Sequence, residues 1–505
     1  LFLLISITSS VYGQELWPTF HNDAQRTGYA SRPGPSDENL LWSYTTGGKI
    51  RSSPAISDDS TVYIGSFNNN LYAIDKEGNL KWEFVTDSII YSPPAIGADG
   101  VIYFGSLDGN LYALEDSVTY GKLRWQFPAS GAIRSPILIG AKGILYFKAE
   151  SNKFYAVNPD GSERWVYNPE GGVGNDGAGV TLSPDSTTLY FIAGTGSGPE
   201  TRAEVYALDT SKTLLWTFDI GGIPFNYPAD VSPLVDANGV IYVPTLDAPF
   251  YAINPDGIEK WHTSFNVSTL RSTPALGSDG TIYVGSSTSL VAINSADGSA
   301  KWTFPTPSGR SVWSSPVIDI ADVIYFGDDD NWNLFAVSPA GSLKWTFAPG
   351  GEELFNDIAS SPAVGWDSTI IFGSASNNIL YVLGREVVGV VKTNGNKKWY
   401  GPVPAVITGK KGYLEVSPNP FSDKVTINLV MYDVGCRMYE TSLNIYDISG
   451  RLVKSFSLTT NHSALGTALF WNGKDDFGNQ LSSGIYFCIL KTDEFTLSKK
   501  MVLLE

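Results

Sequence analysis

At 505 residues the chain is long enough for two or three domains with large cores. Aromatic residues make up 13% and glycines number 51, a composition of packed sheets and tight turns that rules against disorder. The net charge of −17, with no basic run, argues against a nucleic-acid partner, because phosphate binding needs a basic face.

The chain opens on LFLLISITSSVYGQE. An apolar run followed by small residues is expected to be a secretory signal, residues 1–13, cleaved near Gly13-Gln14. The missing initiator Met and basic leader suggest a signal shortened at its start; a buried first strand is the other reading. No cysteine lies near the cleavage point, so a lipoprotein anchor is not expected. No later segment is long and apolar enough to span a membrane as a helix.

A lead-in containing Trp17-Pro18-Thr19-Phe20-His21 and Arg26-Thr27-Gly28 precedes a repeat. Tetrapeptides like Tyr-Ala-Ile-Asp begin at Tyr72, Tyr112, Tyr155, Tyr206, Tyr251, Val291, Phe335 and Tyr381, spaced 40 to 51 residues apart. Each is followed by a tryptophan: Trp82, Trp125, Trp165, Trp216, Trp261, Trp302, Trp345 and Trp399. That period belongs to a four-stranded propeller blade. The second unit reads strand by strand: Pro94 to Ile96, Val101 to Ser106, Leu111 to Leu114 and Lys122 to Phe127, separated by Asp-Gly and Asn-rich turns. The fold class expected is all-β, an eight-bladed β-propeller followed by a small Ig-like β-sandwich.

Most repeated residues read as scaffold. The alanine of each tetrapeptide is small where neighbouring sheets press close, and the tryptophans cover the gaps between blades. Gly65, Gly105, Gly285, Gly327 and Gly373, after the second strand, are expected to free the chain to turn. A Ser/Thr-Pro pair opens the inner strand at Pro54, Pro136, Pro233, Pro274, Pro316 and Pro362, where a ladder donor is dispensable. Trp42 is surplus; it is expected to pair beside the last blade and close the ring, with the stretch from Gly384 to Trp399 then lying outside the sheet or adding an extra strand.

The loops leading into the inner strands gather around the axis of a propeller. The position ahead of each proline gives Arg51, Tyr91, Arg134, Asp230, Arg271 and Trp313, a set suited to an anionic, planar or sugar-like ligand. The other reading is that these arginines pair with nearby carboxylates and plug the channel. Other chemistry is thin. His21, His262 and His462 lie on separate units, no Gly-Lys-Ser/Thr phosphate loop occurs, and Asp328 to Asn331 reads as a solvated hairpin tip. No catalytic residue and no metal ligand is expected.

Leu71 to Trp82 (LYAIDKEGNLKW) and Gly298 to Trp302 (GSAKW) resemble repeats of the pyrroloquinoline-quinone (PQQ) propeller type, and the lead-in resembles the opening of its secreted members. That superfamily holds quinoprotein dehydrogenases and non-catalytic scaffolds such as the outer-membrane assembly propeller. The dehydrogenases typically carry a vicinal Cys-Cys over the quinone, whereas here no cysteine precedes Cys436. The resemblance therefore implies a binding scaffold without a cofactor; a divergent quinoprotein using PQQ and calcium, or a polysaccharide-active protein, is the alternative.

The blade signature ends near residue 400, and a Pro/Gly linker, 401–411, leads to a last domain, 412–505. Its segments Val416 to Phe421, Leu443 to Arg451, Phe470 to Asn479 and Ser483 to Phe487 resemble the C-terminal sorting domain of type IX secretion cargo, and its Trp-Asn-Gly segment the Ig-like domain of hook-capping proteins. This implies passage through both membranes, secretion machinery as a partner of the tail, and a secreted or cell-surface protein. The propeller, 14–400, would then meet an unknown protein or glycan. Cys436 and Cys488 are either bridged or free.

Overall fold

The computed structural model describes residues 17–384 except 118, 170–177, 196–201, 222–230, 246–248, 267–271, 308, 310, 329–332, 350–357 and 359. In the C-terminal part it describes 412–417, 424–431, 442–448, 451–457, 467–476, 478–491 and 496–504. By contacts the chain divides into two units, Leu1–Gly395 and Asn396–Glu505.

In the first unit, eight four-stranded antiparallel sheets follow one another as the blades of a propeller. Blade 2 has strands Ala95–Ile96, Ile102–Gly105, Asn110–Asp116 and Gly121–Pro128, matching the four runs read from its sequence. The innermost strand is only two residues long in every blade but the fourth, where Val180–Leu182 takes its place without a proline. Apolar clusters form between blades: Tyr63, Ala73 and Trp82 of blade 1 pack with Ile102, Phe104 and Tyr112 of blade 2. A blade therefore buries its faces only against its neighbours, as in other radial repeats.

The tryptophans make each of those joints specific. Trp125 Nε1 donates to the Pro159 carbonyl at 2.9 Å, Trp216 to Pro255 at 3.0 Å and Trp261 to Ser295 at 2.9 Å, each in the turn between third and fourth strands of the next blade. The indole face lies on a glycine in that turn. A Cβ on Gly161 would stand 2.7 Å from Trp125, one on Gly257 2.8 Å from Trp216, and one on Gly298 2.6 Å from Trp261. The Gly and Trp of the repeat signature are thus contact partners across blades.

Trp42 occupies the same position in blade 8. Strand Leu40–Thr45 pairs antiparallel with Ile379–Leu383, so the N-terminal segment supplies the outermost strand of the last blade. Trp42 Nε1 then donates to the Lys76 carbonyl of blade 1 at 2.9 Å and closes the ring. Trp399 lies outside the described residues.

One expectation is corrected. None of Gly65, Gly105, Gly285, Gly327 and Gly373 has a positive φ, so these glycines do not serve a turn. They are demanded by close approach: a Cβ would stand 2.4 Å from Ile90, 2.2 Å from Ile133, 2.7 Å from Val312, 2.4 Å from Ile358 and 2.1 Å from Ile50, respectively. Those side chains belong to the loop entering the following blade and seat directly on the glycine.

The second unit is a β-sandwich. One sheet holds Gly412–Ser417, Val425–Met431 and Thr467–Trp471; the other holds Leu452–Ser457, Ser442–Asp447, Gly484–Lys491 and Thr496–Leu503. Val425, Ile427 and Trp471 of the first meet Leu443, Ile445, Cys488 and Met501 of the second in one core. Cys488 is a free, buried thiol, and burial pushes its pKa up to about 12. Cys436 lies outside the described residues.

Two glycine substitutions separate backbone strain from indole contact. Gly100 has φ +77 with nothing near its Cβ position, and Gly298 has φ +74 with Trp261 against it. Gly100→Ala is expected to cost about 1–2 kcal/mol, the left-handed penalty alone. Gly298→Ala should cost that and a further ~1–3 kcal/mol of overpacking. Equal losses in denaturant midpoint would show that the indole does not press on the turn.

Candidate functional site

Two-residue inner strands leave a ring of open backbone edges facing the hub, and unpaired edges need a cover. The lead-in provides it. The Ile56 N–H donates to the Trp17 carbonyl at 2.9 Å, Ile96 to Pro18 at 2.7 Å, Leu182 to Ala24 at 2.9 Å, Val235 to Gln25 at 3.1 Å, Leu276 to Thr27 at 2.9 Å and Ile318 to Gly28 at 2.8 Å. The Thr19 hydroxyl donates to Ile137 of blade 3 at 3.2 Å. In a dozen residues the chain passes blades 1 to 7 in order and stoppers one end of the hub.

Arg26 holds this circlet together. It is fully buried; its Nη1 donates to the Phe20 carbonyl at 2.6 Å and the Thr19 hydroxyl at 3.0 Å, and its Nε to the Val180 carbonyl at 3.3 Å. Its Nη2 has no hydrogen-bond partner, and its guanidinium carbon lies 5.7 Å from the centre of the Phe20 ring. Burial lowers its pKa to about 10.

Above Phe20, on the other side of the stopper, lies a cavity of about 30 Å³. Its rim is made by Arg51, Tyr91, Arg134 and Trp313, four of the six residues picked out from the sequence. Asp230 and Arg271 lie outside the described residues. The four rim residues stand four residues before the first residue of an inner strand, so they are one structural position repeated in different blades.

The rim is a chain of cations and rings. Arg51 stands 5.9 Å from the centre of Phe67, Phe67 lies 5.8 Å from Tyr91, and Arg134 stands 5.5 Å from Tyr91 on the blade 3 side. Such cation–π contacts hold guanidinium groups at an aromatic face. Arg134 Nε also pairs with Glu150, so for this arginine the plugging reading holds.

Two residues further along each loop, the chain forms the floor. Serine or threonine there links blade to blade: the Ser232 N–H donates to the Thr273 hydroxyl at 2.9 Å, Thr273 to Ser315 at 2.9 Å, Ser315 to Ser361 at 2.9 Å and Ser361 to Ser53 at 3.0 Å. Blades 2 and 3 have Pro93 and Pro136 at this position. There Ser92, one residue earlier, donates to the Ser135 carbonyl at 2.7 Å. Ser53, Ser315, Ser361, Pro93 and Pro136 line the cavity. Sequence reasoning assigned the Ser/Thr-Pro pairs to strand starts and missed this floor, although the hydroxyl before each proline was its signal.

The remaining candidates stay apart. His262 is exposed and bonded to Glu259 at 2.8 Å, and His462 lies outside the described residues. Asp328 is fully buried, which corrects its reading as solvated; it accepts the Asn333 N–H at 2.9 Å. Among the described residues no three His, Cys, Asp or Glu converge as a metal site. The cavity itself takes about two water molecules. Its arginines suit the carboxylates of a quinone such as PQQ, but none of the described residues lining it offers a carboxylate to hold the calcium that accompanies such a quinone.

A family model described as Outer membrane protein assembly factor BamB matches residues 26–198 and 201–414. The chain belongs to this BamB repeat family. Residues 415–504 match the Secretion system C-terminal sorting domain. No curated protein sequence gives a significant match. Among solved structures the BamB-family propeller is similar to a europium-containing methanol dehydrogenase, with 13% identity, 74% of this chain and 98% of that one covered, and TM-score 0.62. BamB from Moraxella catarrhalis shares 16% identity over 70% and 99% of the two chains, with TM-score 0.53. Quinohemoprotein alcohol dehydrogenase from Comamonas testosteroni shares 14% over 77% and 83%, with TM-score 0.59. At these identities the likeness is one of fold.

The stopper carries a pH signature. His21 is buried, its Nδ1 donates to the Arg26 carbonyl at 3.3 Å, and its Nε2 has no partner. Burial lowers its pKa from 6.5 to about 3. The imidazole is therefore neutral in the fold, and its contribution is complete above pH 6.5. As pH falls below 6.5 the unfolded chain takes up a proton that the folded one refuses, at about 1.4 kcal/mol per pH unit until pH 3. Denaturant titrations between pH 6.5 and 4.5 should show this slope, and His21→Gln should flatten it. A slope unchanged in the variant would assign the acid sensitivity elsewhere.

Proposed function

We propose that the protein is an exported, non-enzymatic propeller that binds a partner at the mouth of its hub, carried out of the cell by its C-terminal sorting domain. The observation that supports it most is the hub: one end is stoppered by the lead-in, and the other is a small arginine- and aromatic-rimmed cavity with no carboxylate among its described lining residues. Scaffold positions are intact around the ring, and none of the described rim or floor residues forms an acid–base pair or a nucleophile–base pair. The partner is a protein or a glycan with anionic groups, in keeping with the arginines, and the tail's partner is the type IX secretion machinery. Kinship with dehydrogenase folds supports the architecture, while reaction chemistry depends on site residues.

Two experiments test the reading. Adding PQQ and calcium to the purified protein is expected to change neither the quinone spectrum nor the melting temperature, and to give no dye reduction with alcohols or sugars. Quinone-dependent dye reduction would make it an oxidoreductase. Deleting residues 412–505 should leave the propeller folded and retained inside the cell envelope. Normal export of the truncated chain would refute the role of the tail.

A further inference from the structure

An asparagine followed by glycine is the dipeptide most prone to lose ammonia. Glycine has no Cβ to shield its nitrogen, which can attack the preceding side-chain amide and close a five-membered imide. The chain holds three such pairs, Asn238-Gly239, Asn394-Gly395 and Asn472-Gly473, and the second lies outside the described residues.

The other two pairs are alike in most respects. Asn238 and Asn472 are exposed, and Gly239 and Gly473 are buried with φ +81 and +72. A Cβ on Gly239 would stand 3.0 Å from Pro255, and one on Gly473 2.9 Å from Leu503. Hydrogen bonding separates them. The Gly239 N–H donates to the Asp236 carbonyl at 2.9 Å, and the Asn238 N–H to the Asp236 carboxylate at 2.9 Å. The nitrogen that would attack is therefore tied into its turn. Among the described residues, the Gly473 N–H has no acceptor and the Asn472 side-chain amide has no partner.

The chain around Asn472 is pinned on both sides. Trp471 is buried in the core of the sandwich, and its Nε1 donates to the Lys474 carbonyl at 2.9 Å. The Gly473 carbonyl accepts the Leu481 N–H at 2.9 Å and Gln480 Nε2 at 3.3 Å. An extra backbone atom between Trp471 and Gly473 cannot keep all of these bonds.

We propose that Asn472-Gly473 is a site of spontaneous deamidation whose product loosens the C-terminal sandwich. The Gly473 nitrogen bonds to Asn472 Cγ, the bond from Cγ to the side-chain nitrogen breaks, and ammonia leaves with the glycyl proton. Water then opens the imide at either carbonyl, giving aspartate or iso-aspartate, with no oxidant or reductant needed. Iso-aspartate routes the backbone through the side chain and so adds one atom where the bonds leave no slack. The site lies within residues 415–504, the segment that matches the sorting domain, and is independent of what the hub binds.

The test stores the full chain in mildly alkaline buffer and follows it by peptide mapping. Asn472 is expected to convert about tenfold faster than Asn238, the effect of a hydrogen bond that must be given up before attack. In concentrated urea the two should convert at similar rates. As iso-aspartate accumulates, amide exchange around Trp471, Gly473 and Leu481 should quicken while the blades stay protected. Asn472→Gln should keep that protection on storage. Asn472→Asp leaves the backbone length unchanged and should be protected like the fresh wild-type chain. An unconverted Asn472, conversion confined to Asn394, or equal rates at Asn238 and Asn472 in the folded chain would overturn the proposal. So would a rate difference that persists in urea, or a loss of protection in Asn472→Gln that matches the wild type. Fresh Asn472→Asp as loose as the stored wild type would overturn the role of the added atom.

Discussion

An indole laid on the next blade's glycine turn is the contact on which this propeller depends. A blade has two apolar faces and cannot cover either by itself, so each joint has to be both adhesive and correctly registered. The ring supplies buried area, on the order of 2–3 kcal/mol for a side chain of this size. Its Nε1–H, bonded to a carbonyl one blade on, fixes where the area is used. One joint differs: Trp82 donates to the Asp116 carboxylate at 2.8 Å, which also receives the Tyr63 hydroxyl at 2.7 Å and Lys81 Nζ at 2.9 Å. A carboxylate serves there because Lys81 supplies the opposite charge, and the pair is largely shielded from water.

Closure follows from the same contact. Seven blades are built from consecutive chain, and the eighth borrows its outermost strand from residues 40–45. Trp42 therefore joins blade 8 to blade 1 by the indole-to-carbonyl bond that joins most other pairs, and the ring shuts without a special device. Trp345 of blade 7 completes the set by donating to the Pro35 carbonyl at 3.3 Å, just ahead of that borrowed strand. The N-terminal segment thus serves twice, first as a stopper across seven inner strands and then as part of a blade.

This double use shapes what the hub can do. With one end occupied by the lead-in, the described cavity lies at the opposite mouth. The seryl ring that ties the inner strands together also forms the floor of that mouth. Ring closure and the lining of this cavity therefore share the same hydroxyls. Arg26, buried in the stopper, adds positive charge below that floor without touching the cavity.

Repeat period, strand count and the four-run pattern within each unit were legible in the sequence because they are local: a strand, its turn and its tryptophan lie within some fifty residues. The loop position holding Arg51, Tyr91, Arg134 and Trp313 was legible for the same reason, since symmetry carries one position round the ring. What the chain alone left open depends on partners distant in sequence. Trp42 meets strand 379–383. Gly65 is glycine because of Ile90, and the lead-in is ordered by edges spread over the first seven blades. Sequence by itself determined the blades and the mouth; only tertiary structure decided how the ring shuts, which end is stoppered and how little space is left. Those outcomes arise from backbone edges and van der Waals contact between blades, which no local pattern encodes.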